Sequence, residues 1–190
     1  VYLDVSPYDS RGKCVKSGNY SSVYEAITQC VPKGYQQFIM ISDGSQDDYG
    51  GVGNAQGFKD ALRTAGLSFK TYYINQGATE EDISDYLKRQ IDLSQKTLIY
   101  VSDASALAIV YLALKRFPDY QSLIPSPIGL IGFDLTGWTK TTTPAISSIV
   151  IPAYQEGRIA AQKLLEMIDG KGDSKEVVLK NMIRWRESTL

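Results

Sequence analysis

The chain contains no histidine. That removes the commonest general base, the Ser-His and Cys-His nucleophile pairs, and the commonest transition-metal ligand together. Cysteine is nearly as scarce: Cys14 and Cys30 stand alone, with neither C-x-x-C spacing nor partners for a zinc site. Two buried or half-buried free thiols in a reducing compartment are the plainer reading, with a bridge between them as the alternative. Neither sign of charge is in excess, since 20 Lys and Arg face 21 Asp and Glu, so the chain has no electrostatic footprint for nucleic acid. Long apolar runs are missing too, and the first residues lack the basic and apolar regions of a secretory leader. The expectation is a cytoplasmic protein without a membrane span, metal or cofactor. With 43% hydrophobic residues in 190, the chain can still bury a sizeable core.

What is present is an alternation of short apolar runs and helical stripes. Val1–Val5 reads as an isolated strand ended by Ser6 and Pro7. Tyr20, Val23, Tyr24, Ile27 and Val31 recur at helical spacing before Pro32 and Gly34. Phe38–Ile41 is continuous enough for a strand buried on both faces. A glycine-rich loop follows, then a helix marked by Phe58, Ala61, Leu62 and Ala65 and stopped at Gly66, then a strand over Phe69–Ile74. Thr79 and Asp82 have the spacing of a capping box before Ile83, Tyr86, Leu87 and Ile91. Thr97–Val101 is the next strand, Ala104–Phe117 a helix apolar beyond one face, and Leu130 and Ile131 centre a strand ending at Asp134. The wide apolar surface of Ala104–Phe117 predicts either a central helix or part of a dimer interface. Ile146–Ile151, a helix striped by Ala160, Ala161, Leu164, Leu165 and Ile168, and short strands at Val177–Leu179 and Met182–Trp185 complete the chain. Such alternation predicts an α/β fold with a doubly wound parallel sheet.

In open parallel sheets a ligand sits at the carboxyl ends of the strands. Those ends carry Ser17, the loop from Asp43 to Asn54, Asn75 and Gln76, Ser102 with Asp103, and Asp134 followed by Trp138. Carboxylates and amides that bridge hydroxyl pairs, and an indole that covers an apolar sugar face, suit a neutral polyhydroxy ligand. Ser17, Asp48, Asn54, Ser102, Asp134 and Trp138 are therefore the candidate ligand-binding residues. The glycines at 50, 51, 53 and 57 do not make a dinucleotide fingerprint, because the strand ends well before them and Asp47 and Asp48 would repel a diphosphate. They read as a ligand-gripping loop or a turn. Asp43, Asp47 and Asp48 lack the spacing of a calcium loop. Lys171, Lys175, Lys180, Arg184 and Arg186 are diluted by Asp173, Glu176 and Glu187 and read as a solvated surface.

The order of these segments resembles the effector-sensing core of the LacI/GalR family of bacterial transcription regulators. Gly34-Tyr35 with Phe38–Ser42 is similar to the family's "G-H-x-x-I-x-x-I", and Gly57-Phe58 with Ala61-Leu62 to "R-x-x-G-F-x-x-A-L". Ser102-Asp103 with Ala106 resembles "N-D-x-x-A-x-G", and Ile131–Asp134 resembles "I-G-F-D". Thr143–Ile149 is close to "T-P-x-L-T-T-I", and Arg186-Glu187-Ser188-Thr189 closes the series. Val1–Asp4 resembles the strand before the first crossover between lobes.

The resemblance implies a periplasmic-binding-protein-like type I fold: two lobes joined by three crossovers, with a small effector, usually a sugar or nucleobase, in the cleft. By it Asp134 is the ligand-gripping aspartate, Ser102 takes an effector-contacting Asn position, and Trp138 lies in a cleft-lining loop. Asn54 stands where many members have an effector-clamping arginine, and Ala78 where many have an aromatic ring, so a differently shaped or neutral effector is expected. By the same comparison residues 1–16 and 149–178 are part of an N-terminal lobe that is incomplete here, and residues 17–148 and 179–190 are the C-terminal lobe. The DNA-binding helix-turn-helix is expected upstream, so operator DNA is a partner only through that missing domain, and the full protein is expected to be a homodimer. A periplasmic-type sugar-binding protein of a transport system is the alternative, and no catalytic constellation argues for an enzyme.

Overall fold

The apolar runs lie side by side in a computed structural model of the chain, which describes residues 1–3, 14–43, 51–75, 77–171 and 176–190. In chain order the strands are β1 (Tyr2–Leu3), β2 (Cys14–Ser17), β3 (Gln37–Ser42), β4 (Lys70–Tyr73), β5 (Thr97–Val101), β6 (Ile128–Asp134), β7 (Ser147–Val150), β8 (Val177–Leu179) and β9 (Met182–Arg184). The helices are α1 (Asn19–Cys30), α2 (Gly51–Thr64), α3 (Glu80–Gln90), α4 (Ala104–Lys115), the single turn α5 (Tyr120–Leu123) and α6 (Ala153–Ile168).

Six strands form one sheet in the order β4-β3-β5-β6-β7-β9, parallel throughout except for β9, which runs antiparallel to β7. Alternating side chains feed the two faces, as strand geometry requires. Ile39, Ile41, Ile99, Val101 and Leu130 pack with Ile83, Leu87, Leu107 and Val110 from α3 and α4. Phe38, Met40, Leu98, Tyr100, Ile131 and Phe133 pack with Val23, Ile27, Phe58 and Leu62 from α1 and α2. Both faces are thus covered by helices, which is why the strands read as continuous apolar runs. Of α4, Leu107, Val110, Ala113 and Leu114 are buried within the chain while Leu112 is exposed.

Several segments depart from the sequence reading. The glycine-rich stretch is helical from Gly51 onward. Its glycines serve close packing of α2 on α1: a Cβ on Gly57 would lie 2.6 Å from the Tyr20 carbonyl oxygen and 3.0 Å from Val23 Cβ. Periodicity missed this turn because glycine carries no apolar side chain to mark the buried face. The helix stops where expected, at Gly66 with φ +69°. α3 carries the expected capping box, with the Asp82 N–H donating to Thr79 Oγ1 and the Thr79 N–H donating to Asp82 Oδ2 at 2.8 Å.

A second, three-stranded parallel sheet has the order β1-β2-β8, with α6 packed against β1 and β2. The chain leaves this sheet from β2, not from the Val1–Asp4 segment: β2 leads through Gly18 directly into α1, whose partners belong to the large sheet. The sequence reading placed Ser17 at a strand end but gave that strand no range, because only Cys14 and Val15 stand next to each other as apolar residues before Lys16. β7 pairs with β6 as far as Val150, so the return to the small sheet falls after Val150 instead of at Ile149.

Candidate functional site

The carboxyl ends of β3, β5 and β6 lie next to one another because the strands are adjacent and parallel. At β5, Ser102 Oγ donates to Asp103 Oδ2 at 2.5 Å. The same carboxylate oxygen accepts the Ser42 hydroxyl at 3.3 Å and the Asp43 N–H at 3.1 Å. Asp103 therefore ties the end of β3 to the end of β5, a role in which a carboxylate can use several lone pairs at once. Asn54, on the first turns of α2, reaches the same place: its Nδ2 donates to the Ser102 carbonyl oxygen at 2.8 Å, and Tyr100 Oη donates to the Asn54 carbonyl oxygen at 3.3 Å. Asn54 is 8% exposed, and its Oδ1 has no hydrogen-bond partner among the described residues. Burial, and after it the nearby Asp103 carboxylate, push the Tyr100 phenol well above its ordinary range, so it remains a neutral donor.

Asp134 ends β6 and is 1% exposed. Its Oδ1 accepts the N–H groups of Thr136 at 3.0 Å and Gly137 at 2.7 Å, and its Oδ2 accepts the Thr139 hydroxyl. Burial raises the Asp134 carboxyl, but the Thr139 hydroxyl and the backbone N–H groups of Gly137, Thr136 and Thr139 outweigh it and hold it below the usual carboxylate range. The turn it organises carries Trp138, half-buried with its ring 5.9 Å from that of Tyr111 on α4. Asn54 and Ser102 are thus in direct contact, and Asp134 and Trp138 share the neighbouring strand end.

Ser17 stands apart, at the end of β2 in the small sheet, where its hydroxyl donates to Glu156 Oε1 of α6. Glu156 is 5% exposed and was missed by the sequence reading. Its signal was positional: it lies one turn before Ala160 on the stripe that faces the core. Asp48 and Gln76 lie outside the described residues, and Asn75 is exposed.

Arg186 also needs correction, since it does not belong to a solvated surface. Its Nη1 donates to the Ile146 carbonyl oxygen at 2.6 Å, Ser148 Oγ at 2.7 Å and Thr139 Oγ1 at 3.2 Å. The residues after it knit into the same strands: Glu187 Oε2 accepts the Ala145 N–H at 2.8 Å, Ser188 Oγ donates to the Leu130 carbonyl oxygen at 2.5 Å, and Ser147 and Thr189 share a hydroxyl contact at 2.6 Å. Proximity in sequence to Lys180 and Arg184 hid this, because the acceptors lie about forty residues upstream.

Among the described residues, no group of three or more His, Cys, Asp or Glu side chains could hold a metal ion, and no helix is long and apolar enough to cross a membrane. Cys14 and Cys30 are both buried, and no disulfide joins them. The strand ends offer hydroxyls, an amide, carboxylates and an indole, which recognise hydrogen-bonding ligands by shape and donor pattern.

The periplasmic binding protein-like domain family matches residues 27–189. The chain belongs to that family. It is 26% identical to catabolite control protein A of Priestia megaterium over 88% of this chain and 51% of that protein. The chain spans about half the length of the curated relatives it matches, and these relatives are LacI-type transcriptional regulators, as the sequence resemblance implies. Its fold superposes with TM-score 0.80 on a periplasmic binding protein/LacI transcriptional regulator of Alkaliphilus metalliredigens complexed with D-xylulofuranose, at 20% identity over 99% of this chain and 69% of that one. A LacI family regulator of Enterococcus faecium with bound ribose gives TM-score 0.80 at 17% identity, over 98% of this chain and 68% of that one.

Proposed function

We propose that this chain is the effector-sensing part of a LacI/GalR-type transcriptional regulator and that its effector is a sugar. The observation that carries the reading is the contact of Asn54 with Ser102 beside the turn organised by Asp134, which gathers amide, hydroxyl, carboxylate and indole groups at neighbouring strand ends. The sugars held by two proteins of this fold support it. Asn54, Ser102 and Trp138 would contact the effector, Asp134 would hold the turn that presents Trp138 to it, and Ser17 with Glu156 would face the cleft from the second sheet.

In this reading the three-stranded sheet with α6 is an incomplete N-terminal lobe. Leu165 at 64% and Ile168 at 72% exposure, with Tyr2 and Leu3 exposed beside them, support it, because parallel sheets and their helices are ordinarily covered on both sides. Effector binding would bias the closure of two lobes and so the spacing of DNA-binding heads in a cytoplasmic homodimer, an allosteric coupling between two sites. The exposed Leu112 on α4 offers such a dimer an apolar contact. Operator DNA would be bound by another part of the protein, and this part performs no catalysis.

The test is calorimetric titration of the full-length protein with D-ribose, D-xylulose and a panel of mono- and disaccharides, repeated on Asn54→Ala and Asp134→Ala. Saturable binding of one sugar, lost in both variants while the fold is kept, supports the reading. A folded protein that binds none of them, or variants that bind as the parent does, overturns it.

A further inference from the structure

Thr139 Oγ1 lies within hydrogen-bond distance of three groups: Asp134 Oδ2, Arg186 Nη1 at 3.2 Å and Ser148 Oγ at 3.4 Å. Donor and acceptor bookkeeping fixes the direction of these bonds. A guanidinium can only donate, and the two Nη1 protons of Arg186 point to the Ile146 carbonyl oxygen and Ser148 Oγ, so a lone pair of the Thr139 oxygen at 3.2 Å shares one of them as a three-centre bond. The hydroxyl has a single proton, and a carboxylate is a stronger acceptor than the Ser148 hydroxyl, so that proton goes to Asp134. Arg186 also donates to Ser148 Oγ. Every donor in the chain Arg186, Thr139, Asp134 thus points toward the carboxylate, and each bond polarises the next.

The same guanidinium grips the Ile146 carbonyl oxygen at 2.6 Å, and the Ile146 N–H donates to the Thr139 carbonyl oxygen at 2.9 Å. The excursion from the end of β6 to the start of β7 is therefore closed at its base by Arg186. No carboxylate pairs with Arg186 among the described residues, and its half-buried guanidinium donates only to neutral acceptors there. Thr139 and Ser148 are fully buried and Asp134 nearly so. An arginine placed among buried neutral oxygens, where an apolar residue could fill the space, points to a task for the donor itself.

We propose that Arg186 is a positioning residue for the effector-contacting turn: through Thr139 it orients the Asp134 carboxylate and sets where the Leu135–Trp138 segment stands at the strand ends. The proposal rests on the sugar-sensing reading of that turn. It assigns the last segment of the chain a part in effector recognition in addition to its structural ties through Ser188 and Thr189.

The test uses two readouts on Arg186→Met, Thr139→Val and Thr139→Ser. The first is the titration of the Asp134 carboxyl followed by carbon NMR. Its midpoint is expected to rise toward the ordinary carboxylate value in Arg186→Met and Thr139→Val and to stay low in Thr139→Ser, which keeps the hydroxyl. The second is D-ribose affinity, expected to weaken by about tenfold in Arg186→Met and Thr139→Val and to be retained in Thr139→Ser. A lower melting temperature with an unmoved Asp134 titration assigns Arg186 to structure alone and overturns the proposal. If Arg186→Met does not fold, Arg186→Gln is read in the same two ways. If ribose does not bind the parent protein, the sugar reading fails for that pentose, and the carboxyl titration alone decides the role of Arg186.

Discussion

Asn54 donates its side-chain amide to the Ser102 carbonyl oxygen at 2.8 Å, joining the start of α2 to the end of β5 across 48 residues of sequence. The bond is buried, so its acceptor has no water to fall back on. Asn54→Ala leaves the Ser102 carbonyl without this donor and is expected to destabilise the chain by about 1–3 kcal/mol. Urea denaturation checks it, with a lower midpoint and an unchanged slope as the expected result.

Gly57 and Gly157 make a matched pair. A methyl at Gly57 meets the Tyr20 carbonyl at 2.6 Å, whereas at Gly157 nothing lies within 4 Å. Gly57→Ala must push α2 away from α1 and is expected to cost about 1–3 kcal/mol. Gly157→Ala, in the middle of α6, gains helix propensity and is expected to stabilise by up to about 1 kcal/mol. Thermal melts of the two variants should move in opposite directions.

Acid should loosen the chain through two turns. Asp134 is held below the usual carboxylate range for the reasons given above, and Asp82 is held below it first by the Thr79 backbone N–H and then by the Thr79 hydroxyl, against a smaller opposing effect of burial. A carboxyl whose folded value is depressed stabilises the fold above its unfolded value, near about 3.9, and loses that contribution as pH falls through the folded value. Melting temperature should therefore decline as pH drops below about 4. The decline should be shallower in Asp134→Asn, which keeps an acceptor but cannot be protonated in that range.

Both thiols should be silent in the native state. Cys14 and Cys30 are buried, and burial pushes Cys30 up to about 12 against the opposing pull of Lys33 and Lys96. The thiolate is the reactive species, so Ellman's reagent at mild alkaline pH should label neither cysteine until denaturant is added. Two equivalents released only on unfolding is the expected result, and rapid native labelling would contradict the packing around α1 and β2.

The large sheet was legible because its strands are buried on both faces: Phe38–Ile41, Thr97–Val101 and Leu130–Phe133 announce themselves as apolar runs whatever their neighbours. The contact of Asn54 with Ser102 was half legible. Strand ends are where ligands sit, so Ser102 stood out, but the helical start that carries Asn54 looked like a loop of glycines. Glu156 and Arg186 were not legible, since each is a charged residue that bonds groups brought from distant parts of the chain. Local pattern reports how a segment meets its own neighbours, and these two are defined by segments about forty to one hundred and forty residues away.

The contacts of Arg186, Ser188 and Thr189 fall on Leu130 in β6 and on Ile146, Ser147 and Ser148 at the start of β7. During synthesis those strands leave the ribosome well before their partners do. The sheet can collect its helices early, but β6 and β7 keep open hydrogen-bonding positions until residue 189 has cleared the exit tunnel. Completion of this unit is therefore tied to a stretch translated about forty residues after β7 begins, and a chain cut just short of Arg186 would leave β6 and β7 unlatched.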